Sequence, residues 1–520
     1  MKAILNICIC ASMLVFSEVA ICVEPVVQWE TTFGGADTEE GYSVQQTADG
    51  GYIVAGYTFS YGFAYDAYLV KTDSAGNMQW QKTFGAENRA TVGYCVRQTY
   101  DGGYIVGGSS SYVHPEYNAY LVKTDSQGNM QWEKTFGGPG LDMCWSVQQT
   151  KDGGYIAAGD TESLGGGSRD VYLIKTDSSG NLQWQKAFGG PDWENGFSVQ
   201  QTVDGGYVIA GRTLSYGSGY DVYLVKTDAS GNLQWQKTFG EGDEATGYSV
   251  QQTYDGGYVI AGETVTYGSW YHVYLIKTDS SGNSQWQKAL GGYGRGHSVQ
   301  QTLDGGYIIA GWGAYSAETS YDAYLVKTDS LGQMQWDKYL GRNTGEIPWD
   351  YGYSVQQTND GGYIVGGSTF FDGGPGATDF YLIKLGPEVS AVHIDIKPGS
   401  CPNPLNVKDS GLLSVAICGE VGFDVWMVDM PSVRLEGVAP VRSSYEDVAT
   451  PMPDGAQACE CTTAGRDGRL DLTLKFNVQD ILAALGPVNN GDVLELTLTG
   501  ELNDGTPIEG RDCIVVRGAK

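Results

Sequence analysis

Short bursts of apolar and aromatic residues, each the length of a strand, recur along the first 385 positions. Polar, glycine-bearing joints separate them. Four bursts make one unit. In the first unit they read "GYSVQQT", "GYIVAGY", "DAYLVKTD" and "MQWQKTFG". β-Branched and aromatic residues dominate each burst, which favours strands. The joints carry turn chemistry. "ADGG" supplies the Asp-Gly pair that a tight hairpin needs for positive φ. "DSAGN" puts Gly76 where a longer hairpin needs a left-handed residue. "DGGY" begins at Asp49, Asp101, Asp152, Asp204, Asp255, Asp304 and Asp360. The spacing is about 50 residues, the period of a propeller blade. Four antiparallel strands per unit, in seven units, predict a seven-bladed β-propeller.

The seventh unit stops after "DFYLIKLG" and lacks a "QW" burst. A spare one, "VVQWETTFGG", stands at residues 26–35. Its expected role is to complete the seventh unit and close the ring, with Trp29 beside Phe380 through Lys384. An open solenoid would need caps instead, and closure removes exposed strand edges. Each unit holds one tryptophan of this burst: Trp29, Trp80, Trp132, Trp184, Trp235, Trp286 and Trp336. They are expected to pack between blades. The strand lysines Lys71, Lys123, Lys175, Lys226, Lys277, Lys327 and Lys384 are expected to pair with acidic turn residues or reach solvent.

"TDSSGNLQW" resembles the tryptophan-docking motif of quinoprotein-type propellers, in which an Asp precedes "GK" and a Trp stands four residues after the Gly. Here Asn replaces the Lys, and the Asp is one residue closer. The stretch also resembles the Asp-box of sialidases, which has a shorter Gly-to-Trp spacing. The resemblance implies the blade scaffold only. The adjacent cysteine pair and eight-blade ring typical of quinoprotein alcohol dehydrogenases are missing, and no cofactor is expected.

Seventy-six glycines and 35 tyrosines agree with many short strands and tight turns. The formal net charge of -30 argues against a nucleic-acid partner, which needs basic surfaces. It fits an extracellular protein or a binder of cations. Residues 1–22 read as a secretory signal: "MK", an apolar run, then small residues around "EVAIC". A secreted or cell-surface protein is expected. The run is too short for a membrane span, and no later stretch qualifies. Seven of the ten cysteines lie beyond that leader, where disulfides are allowed. Cys95 and Cys144 replace a Ser and a Gly in neighbouring first strands and could staple two blades.

A linker at 387–392 is expected to separate the propeller, 23–386, from a β-sandwich at 393–520. "NVQDILAALG" is its one helix candidate. "IDIKPGS", "PNPLN", "DGRLDLTLKF" and "LTGELNDGTPIEG" resemble a C-terminal module of many exported microbial proteins, one without an established activity. "GRDGRLDL" resembles a reduced calcium-type loop. Asp467 and Asp471 would be its ligands, but Arg466 and Arg469 stand among them and favour an ordinary turn. Cys401 with Cys513 is the preferred disulfide. Cys459 and Cys461 in "CEC" make a weak metal signal.

The repeated turns barely change between units, whereas the loops between blades and between second and third strands differ in every unit. A fixed scaffold with variable loops on one face is a binding architecture. Those loops carry Tyr61, Tyr65, Tyr112, Tyr117, Trp193, Tyr216, Tyr220, Trp270, Tyr271, Tyr315, Tyr321 and Trp349, with Asp37, Glu39, Glu40, Asp192, Glu194, Asp243, Glu244 and Asp350. The expected contact set is Tyr65, Tyr117, Trp193, Tyr220, Trp270, Tyr271, Tyr321 and Trp349, and the expected partner is a glycan or an extracellular protein. No G-x-S-x-G or H-E-x-x-H occurs. His114, His272, His297 and His393 are scattered, and His297 holds a position that is aromatic in the other units. The chain reads as a non-catalytic recognition or scaffold protein. The alternative is a polysaccharide-active enzyme using loop carboxylates such as Asp192 and Glu194.

Overall fold

The computed structural model describes residues 22–518 apart from 62–64, 87, 114–115, 218, 241–243, 267–269, 315–320, 342–348, 371–377, 421–422, 453–458, 460–461 and 504. The expected leader lies outside the described residues except for Cys22, whose backbone pairs with Ser390. His114, Asp243, Tyr315 and Cys461 also lie outside them. Two compact units emerge. One is Val26–Gly386. The other runs from Pro387 onward and includes the short strand Cys22–Val23.

Among the described residues the first unit holds seven antiparallel four-stranded sheets. Six are contiguous: 39–84, 90–136, 142–188, 194–239, 245–290 and 293–340. In these the strands pair in chain order, the pattern of a β-propeller. The seventh combines Asp350–Gln357, Tyr363–Phe370 and Thr378–Leu385 with Val27–Phe33. Trp29 stands opposite Lys384 and Phe33 opposite Phe380. Trp80 stands opposite Lys71 in the same register of the first sheet.

The turns explain the repeated letters. Gly50 has φ +83°, and the Asp49 carboxylate accepts from the Thr47 hydroxyl at 2.5 Å and the Gly51 N–H at 3.1 Å. Asp73 accepts from the N–H groups of Ala75 and Asn77 at 2.9 Å and from the Asn77 side chain at 3.0 Å. Gly76 has φ +82°, and a Cβ there would come within 2.8 Å of the Trp29 indole. So Trp29 lies on the turn of the next sheet, and its ring meets Tyr52 edge-on at 5.7 Å. The arrangement recurs: Trp80 meets Tyr104 and Gly128, and Trp286 meets Tyr307 and Gly332. Trp336 meets Tyr363 at 6.1 Å, is 5 % exposed, and packs in a core that includes Val27 and Leu385.

Each strand lysine is buried against its turn aspartate. Lys71 Nζ lies 3.0 Å from Asp49 and donates to the Thr72 carbonyl at 2.7 Å and Gln79 Oε1 at 3.3 Å. Three donors thus find three acceptors. The Lys–Asp pair recurs in all seven sheets at 2.6–3.0 Å.

Side chains of the "SVQQ" stretch join one sheet to the next. The Val250 N–H donates to Ser198 Oγ at 3.2 Å, and the Gln252 N–H to Gln200 Oε1 at 2.5 Å. The seventh sheet meets the first in the same way, with Val44 N–H donating to Ser354 Oγ at 3.2 Å. The second and third sheets differ, because Cys95 and Arg97 replace the Ser and the Gln. Here the expected staple is not formed. Cys95 and Cys144 share one core but remain free, buried thiols. Cys95 Sγ donates to the Val147 carbonyl at 3.7 Å and Cys144 Sγ to the Ser146 carbonyl at 3.6 Å. Both are spent on backbone rather than on each other.

In the second unit, one sheet runs Cys22–Val23, Val389–Ala391, Pro507–Arg517, Val493–Glu501, Arg434–Leu435, with Pro404–Asn406 also on Pro507–Arg517. The other runs Ile394–Ile396, Leu412–Ile417, Asp471–Asn477, Arg442–Glu446. Ile396, Val415 and Leu474 of one share a core with Leu496, Ile514 and Val516 of the other. The segment expected as a linker contributes the strand Val389–Ala391, parallel to Ile508–Glu509. The expected helix spans Val478–Leu485, with Asn477 capping the Gln479 N–H at 2.9 Å. The disulfide expectation fails: Cys513 bonds Cys459, not Cys401, with Cα atoms 5.0 Å apart. Cys401 is disulfide-bonded too, whereas Cys418 is a buried free thiol. Position near the ends of the unit was a poor guide. Cys513 lies within a long strand, and the loop bearing Cys459 reaches it. Bonded in this way, Cys459 offers no thiolate to a metal.

Candidate functional site

Each first strand of the propeller carries one aromatic side chain at the same register. Tyr42 meets Tyr94 at 5.3 Å, Tyr94 meets Trp145 at 4.3 Å, and Trp145 meets Phe197 at 5.9 Å. Phe197 meets Tyr248 at 5.3 Å, Tyr248 stacks on His297 at 4.6 Å, and His297 meets Tyr353 at 5.2 Å. Tyr353 then meets Tyr42 at 5.3 Å. These side chains are half-buried. Burial pushes the His297 imidazole down to about 3 and the Tyr94 hydroxyl up to about 12. His297 is therefore a neutral ring among rings at ordinary pH.

One pleat repeat toward the variable loops, roughly 7 Å away, the polar tips of this aromatic floor find carboxylates. Tyr42 donates to Glu40 at 2.6 Å, the Trp145 indole to Asp160 at 2.5 Å, and Tyr248 to Glu263 at 2.7 Å. Arginines stand beside them. Arg169 lies 3.2 Å from Asp160 and 2.7 Å from Glu162, and Arg295 lies 2.6 Å from Glu263. Arg212 donates from Nε to Asn195 Oδ1 at 2.9 Å. Burial raises the Asp160 and Glu263 carboxyls despite these cations.

The guanidiniums lie over aromatic rings of the loops and strand ends. Arg169 lies over Trp193 at 5.0 Å, Arg212 over Tyr220 at 4.3 Å, and Arg295 over Tyr271 at 4.3 Å and Trp312 at 5.0 Å. Further round, Trp270 meets Tyr293 at 5.6 Å, Tyr293 meets Tyr321 at 5.9 Å, Tyr321 meets Trp349 at 6.3 Å, and Trp349 meets Phe370 at 6.2 Å. Tyr65 packs on Phe59 at 4.0 Å and Tyr57 at 5.2 Å. Tyr117 is half-buried, and burial, then the neighbouring Tyr65, raises its hydroxyl. Each of the eight aromatics expected to make contacts thus has an aromatic or guanidinium neighbour within the propeller. The Tyr61 and Tyr216 hydroxyls tie down the Gly34 and Gly189 carbonyls.

Several acids expected on the loop surface are buried ties. Glu194 is 0 % exposed and accepts from the Gly190 N–H at 2.8 Å, the Thr213 hydroxyl at 2.6 Å and the Ser215 N–H at 3.2 Å. Glu39 does the same with Gly35, Thr58 and Ser60. Asp350 is buried as well. In the second unit Asp471 is buried and accepts from the N–H groups of Gly419, Val448 and Ala449, while Asp467 accepts from the Arg469 N–H. Among the described residues no group of three or more His, Cys, Asp or Glu side chains could hold a metal ion.

Arg212, Arg295, Asp160, Glu263 and Trp312 escaped sequence reasoning. Four of these five do carry a signal. Tyr57, Ser109, Asp160, Arg212, Glu263, Trp312 and Ser368 are the residues after the glycine of an otherwise constant second strand. Variation inside a strand, not only in loops, marks these positions.

No curated protein matches the sequence. Solved structures with a similar fold include a protein of unknown function from Dyadobacter fermentans, at 13% identity and TM-score 0.41, covering 70% of this chain and 99% of that one. A polysaccharide lyase, an ulvan lyase, aligns at 10% identity and TM-score 0.45, covering 69% of this chain and 97% of its own. The β-propeller domain of the Trilobed protease from Pyrococcus furiosus aligns at 12% identity and TM-score 0.39, covering 70% and 96%. The family described as outer membrane protein assembly factor BamB matches residues 26–288, half of the chain, and the chain belongs to that family of propeller repeats.

Proposed function

We propose that Val26–Gly386 closes into a seven-bladed ring, with Val27–Phe33 as the outer strand of the last blade. The return of the serine and aromatic contacts from the seventh sheet to the first supports this. We propose further that the protein is exported, that residues 393–520 form a β-sandwich module, and that the candidate site forms a basin that recognises a carbohydrate without transforming it.

One observation carries the recognition reading. Trp270, Tyr293, Tyr321, Trp349 and Phe370, from three successive sheets, run in unbroken ring contact, and Trp270 and Trp349 are each 47 % exposed. Sugar rings offer C–H faces that stack on such surfaces. Tyr and Trp provide that area at low entropic cost. The competing reading, a polysaccharide-active enzyme on the same face, needs two carboxylates free to meet the ligand. Asp160, Glu194 and Glu263 are instead engaged by donors of the protein itself.

Calorimetric titration with defined oligosaccharides, paired with an assay for new reducing ends, tests this. Saturable binding without release of sugar is expected. Trp349→Ala should weaken it about tenfold, the loss of roughly 1.4 kcal/mol. Product release would overturn the non-catalytic reading, and absence of binding across the panel would overturn recognition.

A further inference from the structure

We infer that the ligand of the basin carries an anionic group, a carboxylate or a sulfate, and that Arg212 receives it. This rests on the carbohydrate reading and sharpens it. Three guanidiniums stand around the basin, and two are neutralised: Arg169 by Asp160 and Glu162, Arg295 by Glu263. Arg212 has no such contact. Among the described residues no carboxylate makes a direct ion pair with it, and Asp160 and Glu263, already held by the other two arginines, act on it only through space. Its polar contact is the Nε bond to Asn195 at 2.9 Å.

That bond fixes the guanidinium. Asn195 is 3 % exposed, and its buried side-chain oxygen is the acceptor that holds Nε. Tyr220 at 4.3 Å and Phe197 at 5.8 Å hold the plane from its faces. With Nε occupied, the two terminal nitrogens form a preset fork. A planar fork of N–H donors matches a carboxylate or sulfate edge bidentately. A half-buried cation with no carboxylate in direct contact is costly to desolvate, and an incoming anion offsets that cost. The neighbouring aromatic faces require the anion to be borne on a ring, as in a uronic acid or a sulfated sugar.

Four probes decide the matter: oligogalacturonides, their methyl esters, sulfated galactan oligosaccharides and the desulfated forms. The full-length protein is titrated with each. At least one anionic probe should bind tenfold or more tighter than its neutral counterpart, and which one does so separates carboxylate from sulfate. Arg212→Met should erase the preference, so that charged and neutral probes bind alike. Arg212→Lys keeps the charge without the fork and should restore only part of it. Unchanged thermal unfolding shows that the variants are folded. Equal binding of charged and neutral probes overturns this inference alone, as does a preference that survives in Arg212→Met. No binding of any probe overturns it together with the carbohydrate reading.

Discussion

The backbone N–H of Gln46 donates to the side-chain carbonyl of Gln356 at 2.7 Å, across 310 residues of sequence. The pair is one of a repeated set: Gln301 N–H donates to Gln251 at 2.6 Å, and Gln357 N–H to Gln300 at 2.6 Å. A second set runs beside it, in which the turn N–H of Val203 donates to Gln252 at 2.8 Å and that of Asn359 donates to Gln46 at 2.9 Å. The two glutamines of each first strand, except in the second sheet where Arg97 replaces one, therefore act as clasps to the sheets on either side.

If the ring is closed, the clasp at its seam is worth as much as any other. Gln356→Ala leaves the Gln46 N–H without its partner and should cost about 1–2 kcal/mol. Gln251→Ala, between the fifth and sixth sheets, should cost the same. Urea unfolding of both variants checks this. A Gln356→Ala variant as stable as the parent, beside a destabilised Gln251→Ala, would mean an open seam.

The turn glycines separate backbone strain from docking. Gly153 has φ +82° with open space around it, so Gly153→Ala should cost only the left-handed penalty, roughly 1–2 kcal/mol. Gly231 has φ +75°, and a Cβ there would lie 2.7 Å from the Trp184 ring. Gly231→Ala must carry the same penalty and also displace the indole. A clearly larger loss of stability is expected, with a shift in tryptophan fluorescence that Gly153→Ala lacks. Equal losses would show that the docked tryptophan contributes nothing at this turn.

What the sequence disclosed follows from locality. Asp49, Gly50 and Gly76 announce their turns because the hydrogen bonds that shape each turn close within a few residues. The missing burst after Leu385 and the spare one at Trp29 are visible as a mismatch of copies. Gln46 and Gln356 could not be read as partners, because glutamine on a strand looks like a solvent-facing residue and the bond runs between distant sheets. Glu39 and Glu194 looked like displayed loop acids, yet both open a strand and turn inward to hold the loop's N–H groups. The aromatic residues of the candidate site stand out in the variable loops. The charged ones do not, because Asp160, Arg212 and Glu263 sit inside strands whose other positions largely repeat.

The lysine–aspartate pairs predict acid sensitivity. Burial raises the Asp255 carboxyl, but the bonds from Lys277 and Thr253 outweigh it and hold the group at about 2. The corresponding aspartates of the other six sheets are lowered too. A folded value below the unfolded one, about 3.9, gives stability that is complete above that value and lost as pH falls toward 2. Propeller unfolding should therefore steepen between about pH 4 and pH 2. Asp255→Ala, which removes one of the three acceptors of the buried Lys277, should destabilise by about 1–3 kcal/mol at neutral pH and flatten this dependence. A parent protein equally stable at pH 2 and pH 5 would contradict the argument.

The second unit should respond to pH in the opposite sense. Asp395 is 8 % exposed, and its Oδ2 is buried with no hydrogen-bond partner among the described residues. Burial, then the nearby Asp512 and Asp471, pushes its carboxyl up to about 7. Between the unfolded value, about 3.9, and 7 the folded state binds the extra proton, so stability falls as pH rises through that window. Above it the folded unit must hold a buried carboxylate among other acids. Asparagine keeps the shape and cannot ionise. Asp395→Asn should therefore raise the melting temperature of the second unit at pH 8, with little effect at pH 5, where the parent's Asp395 is already neutral. Amide hydrogen exchange in Ile394–Ile396, followed at both pH values, assigns the effect to this unit rather than to the propeller. The same melting shift at both values would mean that packing, not ionisation, separates the two side chains.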